Sequence, residues 1–350
     1  MVSLGIITLH PQLESTYFKE MAKRAPEYRI QVFRFHPKDW DPHTNTVTGA
    51  YYDERHDTWE FDVFPLPEFI YDRCFYSNNR SIERYYSIVK QLKEKATFLS
   101  TGLPNKWQVH LALQNDPFLS QYLPDTALLS SSEEAIEKLL HERQLVLKPD
   151  RGAQGKGIIF LKMTGSKVEV QTHIGGSTKT ASYSIDRLNQ WVHRILEQNQ
   201  YIAQSFLELK NEENKPFDAR VLVQKNRKGM WQEYGRGIRT GRIGSLVSNI
   251  HNGGKIVPFA SWQSKQEPFI QKKIEKQMEE MIQKLPYVLE RHFGRLYEIG
   301  IDIGIDQNGK CWLLEANSKP GHQIIVKTER EAVYKVYENP LHFCLFLASK

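Results

Sequence analysis

Between Glu298 and Ile305 the chain alternates strictly. Ile299, Ile301, Ile303 and Ile305 fall on one face, and Gly300, Asp302, Gly304 and Asp306 on the other. Period two with β-branched residues predicts a half-buried strand. Asn308-Gly309 is a strong hairpin signal, because a type I′ turn needs φ > 0 at both central positions. A second strand then runs from Lys310 to Asn317. With Asn308 and Gly309 as the loop, Gln307 pairs with Lys310, Asp302 falls opposite Glu315, and Asn317 falls opposite Gly300.

The rest of the chain reads as an alternation of strands and helices. Residues 4–9 predict a buried strand, Ser15 to Arg24 a helix, Ile30 to Phe35 a strand and Phe69 to Arg73 a strand end. Residues 36–60, rich in aromatics, Asp and His, predict an irregular loop. A helix is expected from Ser81 to Lys95 with Ser81 as its N-cap. A short helix starts at Asn105, and Ser131-Ser132-Glu133-Glu134 is a capping box opening a helix to about Arg143. Leu145 to Phe160 reads as strand, glycine-rich loop, strand. A polar hairpin with Gly175-Gly176 spans 167–183. Ile185 to Gln198 is an amphipathic helix with Leu188, Trp191, Val192 and Ile195 on its apolar stripe. Tyr201 to Leu207 is a strand. Phe217 to Gln224 and Met230 to Tyr234 are expected to pair, followed by an Arg-Gly-rich run, Gly235 to Gly244, and the loop Ser248 to Gly254. A long helix covers Pro268 to Phe293, a final helix about Ile325 to Val336, and the apolar tail Leu341 to Leu347 packs on the body. This pattern predicts an α/β (α+β) protein in three parts, with boundaries at 1–100, 101–205 and 206–350.

Composition narrows the function without naming it. The chain has 350 residues, 40% hydrophobic and 25% charged, within the range of ordinary globular proteins. A formal charge of +6 is spread along the chain, which favours anionic ligands but gives no nucleic-acid signature. Cys74, Cys311 and Cys344 are far apart and odd in number, which gives no disulfide framework and suits a reducing cytoplasm. Met1 to Leu9 lacks a basic leader and is too short for a signal peptide. No apolar run reaches membrane-spanning length, so no membrane partner is expected.

Two stretches carry chemistry. Carboxylates opposed across a ladder repel, and a bound cation would reverse that sign. Asp302, Glu315 and the Asn317 amide are hard donors suited to Mg²⁺. A surface hairpin with solvated acids is the alternative; the combination of all three favours the cation. Gly300 and Gly304 flank Asp302 and leave room over that face. In the second stretch, Lys148-Pro149-Asp150-Arg151-Gly152-Ala153-Gln154-Gly155-Lys156-Gly157, glycines let backbone N–H groups converge on phosphate oxygens while Lys148 and Lys156 add charge. A flexible hairpin tip would also fit. It is not a Walker A loop, since no Ser or Thr follows Lys156 and a strand follows in place of a helix.

Taken in order, these motifs over residues 100–330 resemble the ATP-grasp superfamily. Asp302, Glu315, Asn317 and Pro320-Gly321 resemble, at the same spacing, the metal-binding end of D-alanine–D-alanine ligases and their relatives. The whole-chain pattern most resembles the YheC/YheD group, described as endospore coat-associated. The resemblance implies an ATP-grasp fold of two α+β subdomains with ATP between them, preceded by a small α/β domain. It also implies Asp302, Glu315 and Asn317 as ligands of Mg²⁺ or Mn²⁺. Lys106 and Lys148 become phosphate contacts, and Gly152, Gln154, Gly155, Lys156 and Gly157 a mobile phosphate-covering loop. Gln204, Phe206 and Leu207 become an adenine-binding hinge, Glu208 or Lys210 a ribose contact, and Arg220 a phosphate-side arginine. One departure stands out. The D-alanine ligases carry an arginine two residues before the metal-binding aspartate, where this chain has Gly300. D-alanine is therefore not the expected substrate, and Arg220, Arg239 or Arg242 must meet the transition-state charge.

The resemblance implies a ligase in which an unknown carboxylate and an unknown amine are joined through an acyl phosphate made from ATP. Two other readings share the same residues: a non-catalytic spore coat-associated protein with coat proteins as partners, and a phosphotransferase. A place in the cytoplasm or on the spore coat goes with one reading or the other. None of the twelve histidines has metal-ligand spacing; His251, inside the Asn/Gly loop, is the one to watch.

Overall fold

The computed structural model describes residues 1–75, 80–152, 155–174, 177–245, 248, 254–329 and 331–350. Three sheets follow one another along the chain. The first contains β1 (Val2–Ile7), β2 (Ile30–Phe35), β3 (Trp40–Asp41), β4 (Thr46–Asp53), β5 (Thr58–Pro65), β6 (Phe69–Asp72) and β7 (Thr97–Phe98) in the order β3-β4-β2-β1-β6-β7, with β5 on β4. Strands β2, β1, β6 and β7 are mutually parallel, joined through α1 (Ser15–Arg24) and α2 (Arg80–Lys95).

Residues 36–60, expected as irregular loop, instead supply most of the β4–β5 hairpin. Thr, Val, Tyr, Trp and Phe outweigh the interspersed polar residues there, because a pleated half-buried surface is where they fit. Helix α2 takes in Ser81, expected as its N-cap.

The second sheet comprises β8 (Thr126–Leu128), β9 (Gln144–Pro149), β10 (Ile159–Thr164), β11 (Lys167–Ile174), β12 (Ser177–Ser184) and β13 (Tyr201–Ser205), ordered β12-β11-β10-β9-β13-β8 and antiparallel throughout. Between α3 (Lys106–Gln114) and α5 (Ile185–Gln198) lies α4 (Ser132–Glu142). Helices α4 and α5 cover one face through Ile136, Leu139, Leu188 and Val192. Ser131 caps α4 by accepting from the Glu134 N–H, and Glu134 in turn accepts from the Ser130 N–H.

The third sheet, β14 (Phe217–Lys225), β15 (Trp231–Thr240), β16 (Lys255–Pro258), β17 (Glu298–Ile305) and β18 (Cys311–Asn317), is ordered β16-β15-β14-β17-β18. After α6 (Phe259–Gln263), the long α7 (Pro268–Phe293) buries Ile274, Met278, Met281, Leu285 and Leu289 against Ile299, Ile301, Ile303 and Ile305. Val109 and Leu113 of α3 join this core, although they precede the second sheet in sequence.

The β17–β18 hairpin has the expected register at its chemical end and a different turn. Asp302 pairs with Glu315 and Gly300 with Asn317, but Ile305 pairs with Cys311. The loop therefore holds three residues, Gln307, Asn308 and Gly309, with Gly309 at φ 68°. Asp306 braces it by accepting from the Asn308 and Lys310 N–H groups. A bulge beyond Asp302 absorbs the extra residue and restores the pairing.

Strand β17 is buried on both faces. A Cβ on Gly300 would meet Pro320 Cβ at 2.7 Å, and one on Gly304 would meet Leu209 Cδ1 at 2.6 Å. Those two glycines make room for protein, not for a ligand.

The C-terminal stretch also departs from expectation. The single helix from Ile325 is two, α8 (Gln323–Thr328) and α9 (Val333–Ala348), broken at Glu329 with φ −131° and ψ 69°. The apolar tail is the body of α9, whose Leu341, Phe343 and Cys344 pack with Leu4 and Ile6 of the first sheet. Pro340 inside α9 cannot donate to the Val336 carbonyl; the Tyr17 hydroxyl of α1 does so instead, at 3.2 Å.

Candidate active site

The second and third sheets face each other across a cavity of about 1070 Å³, lined also by α1 and the start of α8. On the third sheet the register sets Arg220 of β14, Asp302 of β17 and Glu315 of β18 in one row across three adjacent strands. One pair away, Asp218 of β14 faces Arg239 of β15. All five side chains line the cavity, with Asn317 beside them.

The opposed carboxylates are not left to repel each other. Asp302 Oδ1 is ion-paired with Arg220, and Asp302 Oδ2 lies 3.0 Å from Arg239 Nη2. Lys106 Nζ stands 3.4 Å from Glu315 Oε1. Protein cations thus supply the sign reversal that the sequence pattern assigned to a metal. Among the described residues no group of three or more His, Cys, Asp or Glu could hold a metal ion. The donors available to a hard cation are two carboxylates and the Asn317 amide, a set that fits an ion keeping waters and phosphate oxygens in its other positions.

Across the cavity, Lys148 on β9 donates to Gln204 Oε1 on the neighbouring β13 at 2.5 Å, and Gln204 Nε2 donates to Thr126 of β8 at 3.0 Å. Gln204 therefore holds a lysine, and its amide is already engaged. Burial depresses the Lys148 pKa to about 8; Glu315 and Asp302 pull it up and Lys106 pushes it down. The ammonium gains from any anion that reaches it.

Lys106, at the N-terminus of α3, donates to the Gly152 carbonyl at 2.7 Å, and Asp150 accepts from the Trp107 N–H at 2.8 Å. These bonds tie α3 to the glycine-rich loop. Gly152, Gly155 and Lys156 line the cavity. Gly157, expected in the phosphate loop, packs its backbone on Pro149, where a Cβ would meet Pro149 Cγ at 2.8 Å, so it serves the turn. Gln154 and His251 lie outside the described residues. Phe206, Leu207, Glu208 and Lys210 line the cavity, with the Phe206 ring edge-on to Phe160 at 5.8 Å. Lys210 Nζ lies 3.6 Å from Glu208 Oε1. Arg242 is exposed and is not part of the lining, which leaves Arg220 and Arg239.

A family model for YheC/D-like ATP-grasp proteins matches residues 95–347. The chain belongs to this family. Over the whole of the chain and 97% of the relative, it is 34% identical to the endospore coat-associated protein YheC of Bacillus subtilis. It is 30% identical to that organism's endospore coat-associated protein YheD, over 91% of the chain and 67% of the relative. Among solved structures, D-cycloserine synthetase DcsG shares the fold at a TM-score of 0.57, with 11% identity over 99% of each chain. D-alanyl-alanine synthetase A of Vibrio cholerae does so at 0.55, with 12% identity over 100% of this chain and 99% of its own. The architecture of this YheC/D-like chain is thus the ATP-grasp fold. No helix among its described residues is long and apolar enough to cross a membrane.

Beside the cavity of this family member lies a second polar cluster that sequence reasoning missed. Arg73, with a side chain 0% exposed, forks onto Glu14 at 2.8 and 2.6 Å, reaches Glu298 at 2.7 Å and donates to the Pro320 carbonyl at 2.8 Å. His322 Nε2 lies 2.9 Å from Glu298 and Nδ1 lies 3.5 Å from Glu14, with the ring stacked on Tyr17 at 4.0 Å. Burial alone would raise the Glu14 pKa, but Arg73 and His322 hold it down to about 2. Burial alone would lower that of His322, but Glu298 and Glu14 raise it. Asp218 was also missed, although its alternation with Arg220 placed it on the same face.

Proposed function

We propose that this chain is an ATP- and Mg²⁺-dependent carboxylate–amine ligase working through an acyl phosphate. The observation that carries this reading is one cavity in which Lys106, Lys148, Arg220 and Arg239 face Asp302, Glu315 and Asn317. Phosphoryl transfer asks for positioning and charge neutralisation more than for covalent help, and those residues supply both. Two solved structures of similar fold, the N5-carboxyaminoimidazole ribonucleotide synthetase PurK and the N5-carboxyaminoimidazole synthetase of Staphylococcus aureus, are complexes with ADP, in line with this use of the fold.

In this mechanism a substrate carboxylate oxygen attacks the γ-phosphorus and ADP leaves. The nitrogen of an amine then attacks the acyl carbon, phosphate leaves with the C–O bond electrons, and the amine proton passes to solvent. Asp302, Glu315 and Asn317 would hold Mg²⁺ or Mn²⁺, whose chemistry is charge neutralisation at phosphate oxygens. Lys148 and Lys106 hold phosphate from the second-sheet side, with Gly152, Gly155 and Lys156 closing over it to exclude water. Phe206 and Leu207 line the adenine end, and Glu208 or Lys210 meets the ribose. The chain divides into units at residues 1–100, 101–205 and 206–350, with ATP between the second and third. In this reading the chain associates with the spore coat and its proteins, which the endospore coat-associated relatives YheC and YheD support.

The test is to supply ATP, Mg²⁺ and pools of amino acids and short peptides, and to measure ADP release against new amide by mass spectrometry. Amide formed in step with ADP is expected, and Asp302→Ala should abolish it without unfolding the protein. Continued ligation by that variant contradicts the assignment. The non-catalytic reading draws on Asp302 already being satisfied by two arginines, and predicts ATP binding without ADP release. A phosphorylated acceptor without amide would mean a phosphotransferase.

A further inference from the structure

Arg220 and Arg239 meet the same carboxylate but are held differently. Among the described residues, the Arg220 side chain is paired with Asp302 alone. Arg239 forks onto both oxygens of Asp218 at 2.7 and 2.8 Å and reaches Asp302 only with Nη2, at 3.0 Å. Asp218 is 6% exposed and also accepts from the Ser248 hydroxyl. Pulling Arg239 away would strand a buried carboxylate, which is far costlier than moving one partner of an ion pair that lines a cavity. The two arginines are therefore not interchangeable, although each stands directly opposite an acid of a neighbouring strand in the ladder.

We propose that Asp218 is a positioning residue that fixes Arg239, and that Arg220 is an exchangeable counter-ion of Asp302, released when a divalent cation takes that carboxylate. The inference rests on the reading of Asp302 as a metal ligand. Without nucleotide, a cation approaching Asp302 competes with a guanidinium already seated there, so it binds weakly. With nucleotide present, the displaced guanidinium has a phosphate to move to, and its planar fork matches phosphate oxygens. Cation and nucleotide then favour each other by the same factor, as linkage requires. Arg239 takes no part in the exchange, because its fork stays on Asp218 in both states. Gly300 fits this division: the guanidinium of Arg220 packs over it, with Cζ only 3.2 Å from where a Cβ would stand.

The test is Mn²⁺ affinity, read by electron paramagnetic resonance on the full chain with and without ATP, with melting temperatures as folding controls. Arg220→Gln should bind Mn²⁺ about ten-fold more tightly than wild type without ATP, and should lose most of the enhancement that ATP gives. Arg220→Lys, which keeps the charge, should stay within about three-fold of wild type. Asp218→Asn should bind Mn²⁺ several-fold more weakly, because an unanchored Arg239 turns wholly to Asp302. Equal or weaker Mn²⁺ binding by a folded Arg220→Gln protein, in a wild type whose binding is lost in Glu315→Ala, overturns the exchange and leaves the metal site standing. If Arg220→Gln does not fold, an undiminished ATP enhancement of Mn²⁺ binding in a folded Arg220→Ala protein overturns it instead, and unchanged binding in Asp218→Asn overturns the anchoring of Arg239. Wild type that binds no Mn²⁺ even with ATP overturns both the exchange and the metal reading beneath it.

Discussion

Two knots of carboxylates and cations lie side by side in this protein. One joins Glu14, Arg73, Glu298 and His322; the other joins Asp218, Arg220, Arg239, Asp302, Glu315 and Lys106. In the first, Arg73 and Glu298 are 1% exposed each, and both Glu298 oxygens accept bonds from Arg73, Gln224 and His322 as well as from Tyr71. It binds the first sheet, β17 and the start of α8 into one piece. In the second, the Lys106 and Glu315 side chains keep 23% and 32% exposure; Glu14 and His322 of the first knot also border the cavity, but their side chains keep only 18% and 3%. The same chemistry, closed on itself, holds the fold together; left open on one side, it offers charge to a ligand. Only the open knot has contacts loose enough to be exchanged.

Substitutions separate the two. The largest effect on stability is expected for Arg73→Met. It leaves Glu14 and Glu298 with only His322 between them, and breaking a buried network by removing one partner costs about 3–5 kcal/mol. Denaturant unfolding measures it, and a loss under 1 kcal/mol would show that the closed knot is not structural. Gly300→Ala should cost about 1–3 kcal/mol, because the new methyl would overlap Pro320 in a packed site; thermal melting reads this directly.

The pH dependence tests the closed knot from both sides. The folded pKa of His322 is raised above its unfolded value of about 6.5. Its contribution is therefore full below that value and is lost as pH rises through the folded pKa. For Glu14 the folded pKa is about 2, below an unfolded value of about 4.3, so its contribution is full above the unfolded value and is lost as pH falls towards 2. Urea unfolding across pH should show a plateau bounded by these two limbs, and His322→Gln should remove the alkaline one. The smallest stability effect is expected for Glu315→Ala in the open knot, within about 1 kcal/mol, since its ion pair with Lys106 is partly solvated. A larger loss there would blur the distinction.

The same contrast explains what was legible in the sequence. The open knot lies mostly on adjacent strands, and strict alternation plus an Asn-Gly turn placed Asp302 opposite Glu315 even though the loop holds three residues. A three-residue loop and a one-residue bulge cancel, so the register survived a wrong turn. The closed knot was not legible, because its members come from far apart: Arg73 is 59 residues from Glu14 and 225 from Glu298. No periodicity encodes such a meeting. The β4–β5 hairpin was hidden by its exposure, since Phe61 and Val63 face outward at 76% and 61% and blur the alternation that would have revealed it. The break between α8 and α9 carries no Gly or Pro at Glu329 to announce it.

The most direct test of the central claim is calorimetric binding of ATP, with and without Mg²⁺, to wild type and Glu315→Ala. Saturable, Mg²⁺-dependent binding by wild type, weakened at least ten-fold in the variant at unchanged melting temperature, is the expected result. Absence of ATP binding by the folded wild type would contradict the account, and would make the open knot, like the closed one, a structural feature.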